Sequence, residues 1–411
     1  MKKILPCVVG LGYVGLPIFL RLQKKFKCLG FDINKTRIDN LKKQNDTNKE
    51  FKNKELNLNN NSFYSNDEKQ LKNFNFFIIT VPTPIYKNNK PDLNPLFKAA
   101  DLIAKQIKVN DVIFIESTVY PGVTRTICKN IFEKKSKLKE GIDFCIGYSP
   151  ERINPGDTKH TIDKITKIVS YETSNKDFIY KIKNVYKNIS KKIIYSKVIE
   201  EAETAKVIEN IQRDLNIALM NEILIISNKL GLNFNNIHKL ASSKWNFIKI
   251  KPGLVGGHCL PVDPYYFSEI ARKNKIAADI ILTGRKVNNN MVQYVISEIS
   301  KKIKKPNSKI KKKILIIGAT YKPNVSDYRN SLALKIYGKL KKNKKIITDC
   351  YDPEINDDAV KKFKVKKSIK LENLYSHYVF LVKHDKNHKI YENLINKGMQ
   401  KRIIDLFGFY S

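Results

Sequence analysis

The sequence predicts an α/β fold in which two parallel-sheet domains are joined by a long central helix and a helical middle domain. Three observations carry this expectation. The turn Gly10-Leu-Gly12-Tyr13-Val14-Gly15 lies between an apolar strand-like run and an amphipathic stretch. Residues 199 to 230 hold the longest helical pattern in the chain, stopped by Gly231. From residue 313 onward a second series of short apolar runs alternates with helical patterns. The boundaries expected are 1–198, 199–304 and 305–411.

Composition agrees with more than one core: 411 residues, 42% hydrophobic and 10% aromatic. With 77 basic and 39 acidic side chains the formal charge is +38. Such a balance suggests nucleic acid or an anionic membrane. However, the excess is mostly lysine scattered over many segments, with no cluster of arginine and aromatics, so neither partner is expected. Six cysteines at 7, 28, 128, 145, 259 and 350 form no Cys-x-x-Cys pair, and all but Cys259 lie in or beside apolar or helical patterns. They read as core thiols of a reducing, cytoplasmic protein. Residues 1 to 20 imitate a signal peptide, but the glycine turn inside that run explains it better.

Residues 4 to 9 read as a buried strand, and Asp32 stands 22 residues after Gly10. Glycines there let the backbone approach a pyrophosphate at a helix N-terminus, and the acid accepts hydrogen bonds from a ribose. This Rossmann-like fingerprint points to NAD, since a carboxylate repels the extra phosphate of NADP; Arg37 nearby leaves that preference slightly open. Residues 42 to 70 read as a polar surface excursion. Strands follow at 76–81, ending in Pro82-Thr83-Pro84, and at 112–116, ending in Ser117-Thr118. Ligands of open α/β sheets gather at carboxyl strand ends, so Thr83 and Thr118 are candidates for the nicotinamide end, or plain turn formers. A strand at 144–148 leads into Ser149-Pro-Glu151-Arg152-Ile153-Asn-Pro-Gly156. Here a carboxylate could activate water and a guanidinium could clamp a phosphate; a surface ion pair in a turn is the plainer alternative.

In the central helix Ile208, Ile211, Leu215 and Leu219 recur as a buried stripe that could also bury against a second subunit. Lys206, Asn210 and Arg213 share another face, where a cation, an amide and a guanidinium could make an oxyanion and phosphate site; random surface polarity is the plainer alternative. Trp245, the only tryptophan, precedes the stretch Lys251-Pro-Gly-Leu-Val-Gly256-Gly257-His258-Cys259-Leu-Pro-Val-Asp263. Glycine and proline at that density exclude regular structure, and a cysteine in a polar loop is placed to react as thiolate, a small buried residue under the loop being the plainer alternative. Residues 265 to 304 look helical, and 301 to 313 form a lysine-rich connector with Pro306. Beyond it, strands at 313–318, 346–351, 378–382 and 403–406 surround a loop with Tyr321, Lys322, Asp327 and Arg329. This half lacks a full glycine fingerprint and is expected to take the nucleotide part of a substrate.

Together, Gly-Leu-Gly-Tyr-Val-Gly, Val-Pro-Thr-Pro, Glu-Ser-Thr, Ser-Pro-Glu-Arg, Gly-Gly-His-Cys-Leu-Pro-Val-Asp-Pro-Tyr-Tyr and Asp-Tyr-Arg-Asn-Ser resemble the UDP-glucose/GDP-mannose dehydrogenase family over essentially the whole chain. His258 and the Val-Asp-Pro-Tyr-Tyr run resemble its branch acting on UDP-N-acetylhexosamines. Ser-Lys-Trp-Asn-Phe is most similar to UDP-N-acetylglucosamine 6-dehydrogenases of surface-polysaccharide synthesis. The resemblance implies a twofold, metal-free oxidation of a sugar C6 alcohol by NAD. Cys259 would carry a thiohemiacetal and then a thioester. Lys206 and Asn210 would stabilise the oxyanion, and Glu151, Thr118 and Asp263 would position or activate the hydrolytic water. The Gly10–Gly15 turn with Tyr13 and Val14, Asp32, Arg37, Thr83, Thr118 and Arg329 would hold NAD. Arg152, Ile153, Lys206, Asn210, Arg213, Gly256, Gly257, Tyr321 and Lys322 would hold the UDP-sugar, in a homodimer or larger oligomer formed through the central helix. Ser243 and Trp245 replace a His and an Arg of the related mannosamine enzymes, which argues against that sugar. UDP-glucose, UDP-N-acetylgalactosamine, a one-step dehydrogenase and a non-catalytic nucleotide or polyanion binder are the alternatives.

Overall fold

The computed structural model describes residues 3–48, 50–59, 61–153, 159–303, 311–369 and 375–410. The Asn-Pro-Gly turn at 154–156 and Pro306 of the expected linker lie outside the described residues. The chain forms two compact units, Met1–Glu209 with Tyr265–Ala277, and Asn210–Pro264 with Ala278–Ser411. The expected helical middle segment is divided between them.

The first unit is built on eight strands: β1 Pro6–Val9, β2 Leu29–Phe31, β3 Phe63–Ser65, β4 Phe76–Ile79, β5 Asp111–Ile115, β6 Phe144–Tyr148, β7 Thr166–Tyr171 and β8 Lys192–Ser196. Their order is β3-β2-β1-β4-β5-β6-β7-β8. Every pairing is parallel except β6 with β7. The strand order reverses at β1 and β4, which opens a crevice beyond their carboxyl ends. Sequences such as Phe-Phe-Ile-Ile in β4 are buried on both faces, as a helix-covered parallel sheet requires. Two strands depart from expectation. β3 is the sheet edge inside the supposed surface excursion, and β7 turns back antiparallel after the Ser-Pro-Glu-Arg loop.

The second unit carries β9 Lys312–Ile317, β10 Ile346–Tyr351, β11 His377–Phe380 and β12 Ile403–Ile404, all parallel in the order β10-β9-β11-β12. Its core joins Ile314, Ile316 and Val379 of this sheet to Met220, Leu224, Phe234, Met291 and Val295 of the helices. Helices begin at side-chain caps: Asn233 accepts from Asn236 N–H and Ser331 from Leu334 N–H.

The central helix runs unbroken from Ile199 to Lys229, and Gly231 beyond it takes φ +73. Its buried side differs from the expected stripe. Ile211 is buried, but Ile208 and Leu219 are each about half exposed, while Glu203, Asp214 and Asn221 are covered. Counting only apolar residues therefore rotates this helix, because its inner face carries polar groups that bond to neighbouring elements.

Candidate active site

In the first unit, the turn after β1 is fixed by close packing. Gly10 adopts φ +95, and a Cβ on Gly15 would lie 1.8 Å from the Gly10 carbonyl oxygen. Thr80 Oγ1 donates to that same carbonyl at 2.6 Å. Gly12 differs, since a Cβ there would meet nothing within 4 Å. Packing within the protein does not require this glycine, whereas a pyrophosphate laid against the turn does. Tyr13 and Val14 are half-buried beside it. Asp32, at the end of β2, accepts from Leu11 N–H and from Asn34 N–H, each at 2.8 Å. A cleft of about 1220 Å³ opens here, lined among others by Gly10, Gly12, Asp32, Thr80 and Pro82. The residues present thus fit a dinucleotide.

Arg37 is held from within the protein next to this turn. It is buried, donates from Nε to the Leu11 carbonyl at 2.9 Å and pairs with Asp46 at 2.7 Å. Its guanidinium braces the turn from beneath. Thr83 and Thr118 are half-buried on the loops after β4 and β5. Tyr266, fully buried, holds the first loop by donating to the Thr83 carbonyl at 2.8 Å. Glu203 of the central helix holds the second, accepting from Gly122 N–H at 2.5 Å and Thr124 N–H at 3.0 Å. Burial raises the Glu203 carboxyl to about 7 despite these bonds.

Glu151 is 7% exposed, and its Oε1 accepts from Arg152 N–H and Ile153 N–H, both at 2.7 Å. Its Oε2 accepts from Lys167 Nζ at 2.8 Å. Lys167 also donates to Glu116 at 2.5 Å, and Tyr186 Oη donates to Glu116 at 2.9 Å. The Arg152 guanidinium is engaged by Glu209 at 2.8 Å and by the Thr166 carbonyl at 3.0 Å. It thereby ties the Glu151 loop to the central helix. Ile153 is half-buried and Lys206, one turn before Asn210 on the helix, is buried. Arg213 is exposed.

In the second unit the cysteine loop is held at several points. Asn210 Nδ2 donates to Asp263 Oδ2 at 2.5 Å, and the N–H groups of Val262 and Asp263 both donate to the Cys259 carbonyl at 2.9 Å. Asp263 is 2% exposed, whereas Cys259 is half-buried and reduced. The five other cysteines are buried, and burial pushes thiols such as Cys128 up to about 12. Upstream, the fully buried Asn221 donates to the Gly253 carbonyl at 3.0 Å and accepts from Gly253 N–H at 2.9 Å. Gly256 and Gly257 lie against Tyr321, where a Cβ would approach within 2.9 and 2.8 Å. Gly257 N–H donates to the Arg329 carbonyl and Asn330 Nδ2 to the Gly257 carbonyl. Arg329 is exposed, with its guanidinium on Asp327 at 2.6 Å and on His258 Nδ1 at 3.2 Å. Lys322 is half-buried beside Tyr321.

Sequence reasoning missed Glu116, Lys167, Glu203 and Asn221 as site-building groups. It also missed His384, buried between Asp352 at 3.0 Å and the N–H of Asn324 at 3.0 Å, which fixes the Tyr321 loop. Their partners are distant in sequence, so spacing gives no sign of these roles.

Three models of the UDP-glucose/GDP-mannose dehydrogenase family match the chain in order: the NAD-binding domain over residues 3–190, the central domain over 200–290 and the UDP-binding domain over 315–411. The protein CapL of Staphylococcus aureus is 44% identical over 87% of this chain and 84% of its own length. A UDP-N-acetyl-D-glucosamine 6-dehydrogenase of Pseudomonas aeruginosa is 41% identical over 88% and 86%. Among solved structures, a UDP-D-ManNAc dehydrogenase from Pyrococcus horikoshii superposes with a TM-score of 0.87 over 99% of this chain and 96% of that one, at 27% identity.

Proposed function

The chain belongs to the UDP-glucose/GDP-mannose dehydrogenase family, and from that premise we propose that it oxidises the C6 alcohol of UDP-N-acetylglucosamine to the carboxylate in two steps. It is an NAD-dependent nucleotide-sugar dehydrogenase. In our reading residues 1–198 hold NAD, 199–304 supply the catalytic helix and cysteine loop, and 305–411 hold the uridine diphosphate. Bound NAD supplies a hydride acceptor.

An aldehyde has no convenient hydride to give until a nucleophile adds to it. Cys259 is the accessible thiol for that addition, and oxidation of the thiohemiacetal leaves a thioester on its sulfur. Lys206 and Asn210, one helical turn apart, bring a cation and an amide donor to the oxyanion. Asp263 orients the Asn210 amide by accepting its N–H. Glu151 takes a proton from the water that hydrolyses the thioester, with Thr118 helping to place that water. The observation that carries this reading is the tie from the central helix to the cysteine loop, Asn210 to Asp263 to the Cys259 carbonyl. Gly256, Gly257, Tyr321 and Lys322 present backbone and side-chain groups to the nucleotide, and Arg329 closes on the cofactor.

The sugar assignment rests on the two relatives named UDP-N-acetyl-D-glucosamine 6-dehydrogenase, each 41% identical. Comparing kcat/KM for UDP-N-acetylglucosamine, UDP-N-acetylgalactosamine, UDP-N-acetylmannosamine and UDP-glucose tests it. The first should lead by at least about tenfold, a difference of about 1.4 kcal/mol. Preference for any other sugar overturns the assignment and leaves the family chemistry standing.

We also read the protein as a homodimer serving surface-polysaccharide synthesis in the cytoplasm. Ile208, Leu219 and Ile226, each about half exposed along the central helix, support the dimer because a second copy would cover them. No described helix is long and apolar enough to cross a membrane.

A further inference from the structure

Lys167 and Glu116 are both completely buried, and the chemistry above assigns them nothing. An ammonium and a carboxylate without solvent are costly unless their partners are complete, and here they are. Lys167 Nζ has three acceptors: Glu116 Oε2 at 2.5 Å, Glu151 Oε2 at 2.8 Å and the Pro150 carbonyl at 3.4 Å. The remaining Glu116 oxygen takes the Tyr186 hydroxyl.

The fold creates this meeting by the one antiparallel pairing of the sheet. Tyr148 lies opposite Ser170 and Gly147 opposite Tyr171, and continuing that register sets Lys167 opposite Glu151. Glu116 follows directly on β5, the neighbour of β6.

We propose that Lys167 and Glu116 are positioning residues that orient Glu151 and set its readiness to take a proton from the hydrolytic water. The inference rests on the assignment of Glu151 as the water-activating base. In that step a water O–H bond breaks and the proton passes to Glu151 Oε2. The water oxygen bonds to the thioester carbonyl carbon, and the C–S bond breaks with its electron pair on the Cys259 sulfur.

Glu151 keeps one lone pair of Oε2 for this task, since two backbone N–H groups fill Oε1 and Lys167 takes the other site on Oε2. Two carboxylates around one ammonium carry a net negative charge where bulk solvent is largely excluded, so uptake of a proton makes the cluster neutral. Burial raises Glu116 to about 7; Lys167 opposes that rise and Glu151 adds to it. Burial alone would discharge Lys167, but Glu116 and Glu151 outweigh it and hold its proton. Among the described residues, the charged and titratable groups facing Glu151 are thus Lys167 from β7, Glu116 from the end of β5 with Tyr186 behind it, and Arg152, whose guanidinium is turned to Glu209.

The test is single-turnover decay of the Cys259 acyl-enzyme, followed by intact mass across pH for wild type, Glu116→Gln, Lys167→Met, Lys167→Arg and Glu151→Gln. Glu116→Gln keeps the shape and removes an anion, making Glu151 a weaker proton acceptor. The acid limb of the decay rate should move down by about one pH unit. Lys167→Met removes a cation and should move it up by a similar amount, with decay slowed at least about tenfold. Lys167→Arg should recover most of the rate. Shifts of opposite sign cannot come from loosened packing alone. Limbs that stay at the wild-type position, or move together, overturn the proposal. If Lys167→Met does not fold, Glu116→Gln and Lys167→Arg decide it. Wild-type decay in Glu151→Gln would instead remove the assignment of the base itself.

Discussion

Asn221 grips the backbone of Gly253 with both ends of its amide, donating to the carbonyl at 3.0 Å and accepting from the N–H at 2.9 Å. Asn288 accepts the second Asn221 amide hydrogen at 2.8 Å, and its own amide donates to the buried Asp214, which pairs with Arg285. The start of the cysteine loop is thereby fastened to the interior of the second unit, six residues before Cys259.

Asn221→Ala should remove this grip and leave buried polar groups without partners. The expected cost is about 2 to 3 kcal/mol of stability, read from denaturant unfolding. A looser Cys259 should lower kcat at least about tenfold while KM for NAD changes little. An unchanged kcat would mean that the grip serves stability alone.

Gly12 and Gly15 should separate binding from folding. Gly12→Ala finds open space, so its melting temperature should match the wild type while KM for NAD rises at least about tenfold. Gly15→Ala meets the Gly10 carbonyl at 1.8 Å and should destabilise the domain itself. Calorimetry beside NAD titration checks both.

Tyr266→Phe tests whether the helix following the cysteine loop governs the cofactor loop. The lost hydrogen bond leaves the Thr83 carbonyl slack, worth about 1 kcal/mol. KM for NAD should rise about fivefold, with kcat within a factor of about two.

Glu203 gives stability a pH dependence of known sign. Its carboxyl is raised from the usual 4.5 to about 7 by burial, so the folded state favours the protonated form. This contribution is fully present below pH 4.5 and is lost as pH rises through about 7. It amounts to about 3 kcal/mol. Glu203→Gln should therefore flatten the fall in melting temperature across that window. An identical profile in wild type and variant would contradict it.

How much of this could be read in the sequence depended on whether a residue's reason was local. Gly10, Gly15 and Asp32 answer to the turn they stand in, and the glycines and prolines around Cys259 exclude a regular helix or strand there. Both were legible from spacing alone. Lys167 was not, because its partners lie 16 and 51 residues away and a lysine within a strand ordinarily faces water. The same holds for the buried pair that Arg37 makes with Asp46. The central helix misled for a related reason. Its covered face includes Glu203, Asp214 and Asn221, which bind other elements, while Ile208 and Leu219 stay half exposed.

In the proposed chemistry one cysteine, Cys259, carries the substrate through two oxidations. Counting NADH formed per UDP-N-acetylglucosamine consumed, for wild type and Cys259→Ser, tests it most directly. Wild type should form about two NADH per sugar, since each oxidation releases one hydride, and Cys259→Ser should lose that yield. About one NADH per sugar in both proteins would contradict it and make the cysteine loop a structural element of a one-step dehydrogenase.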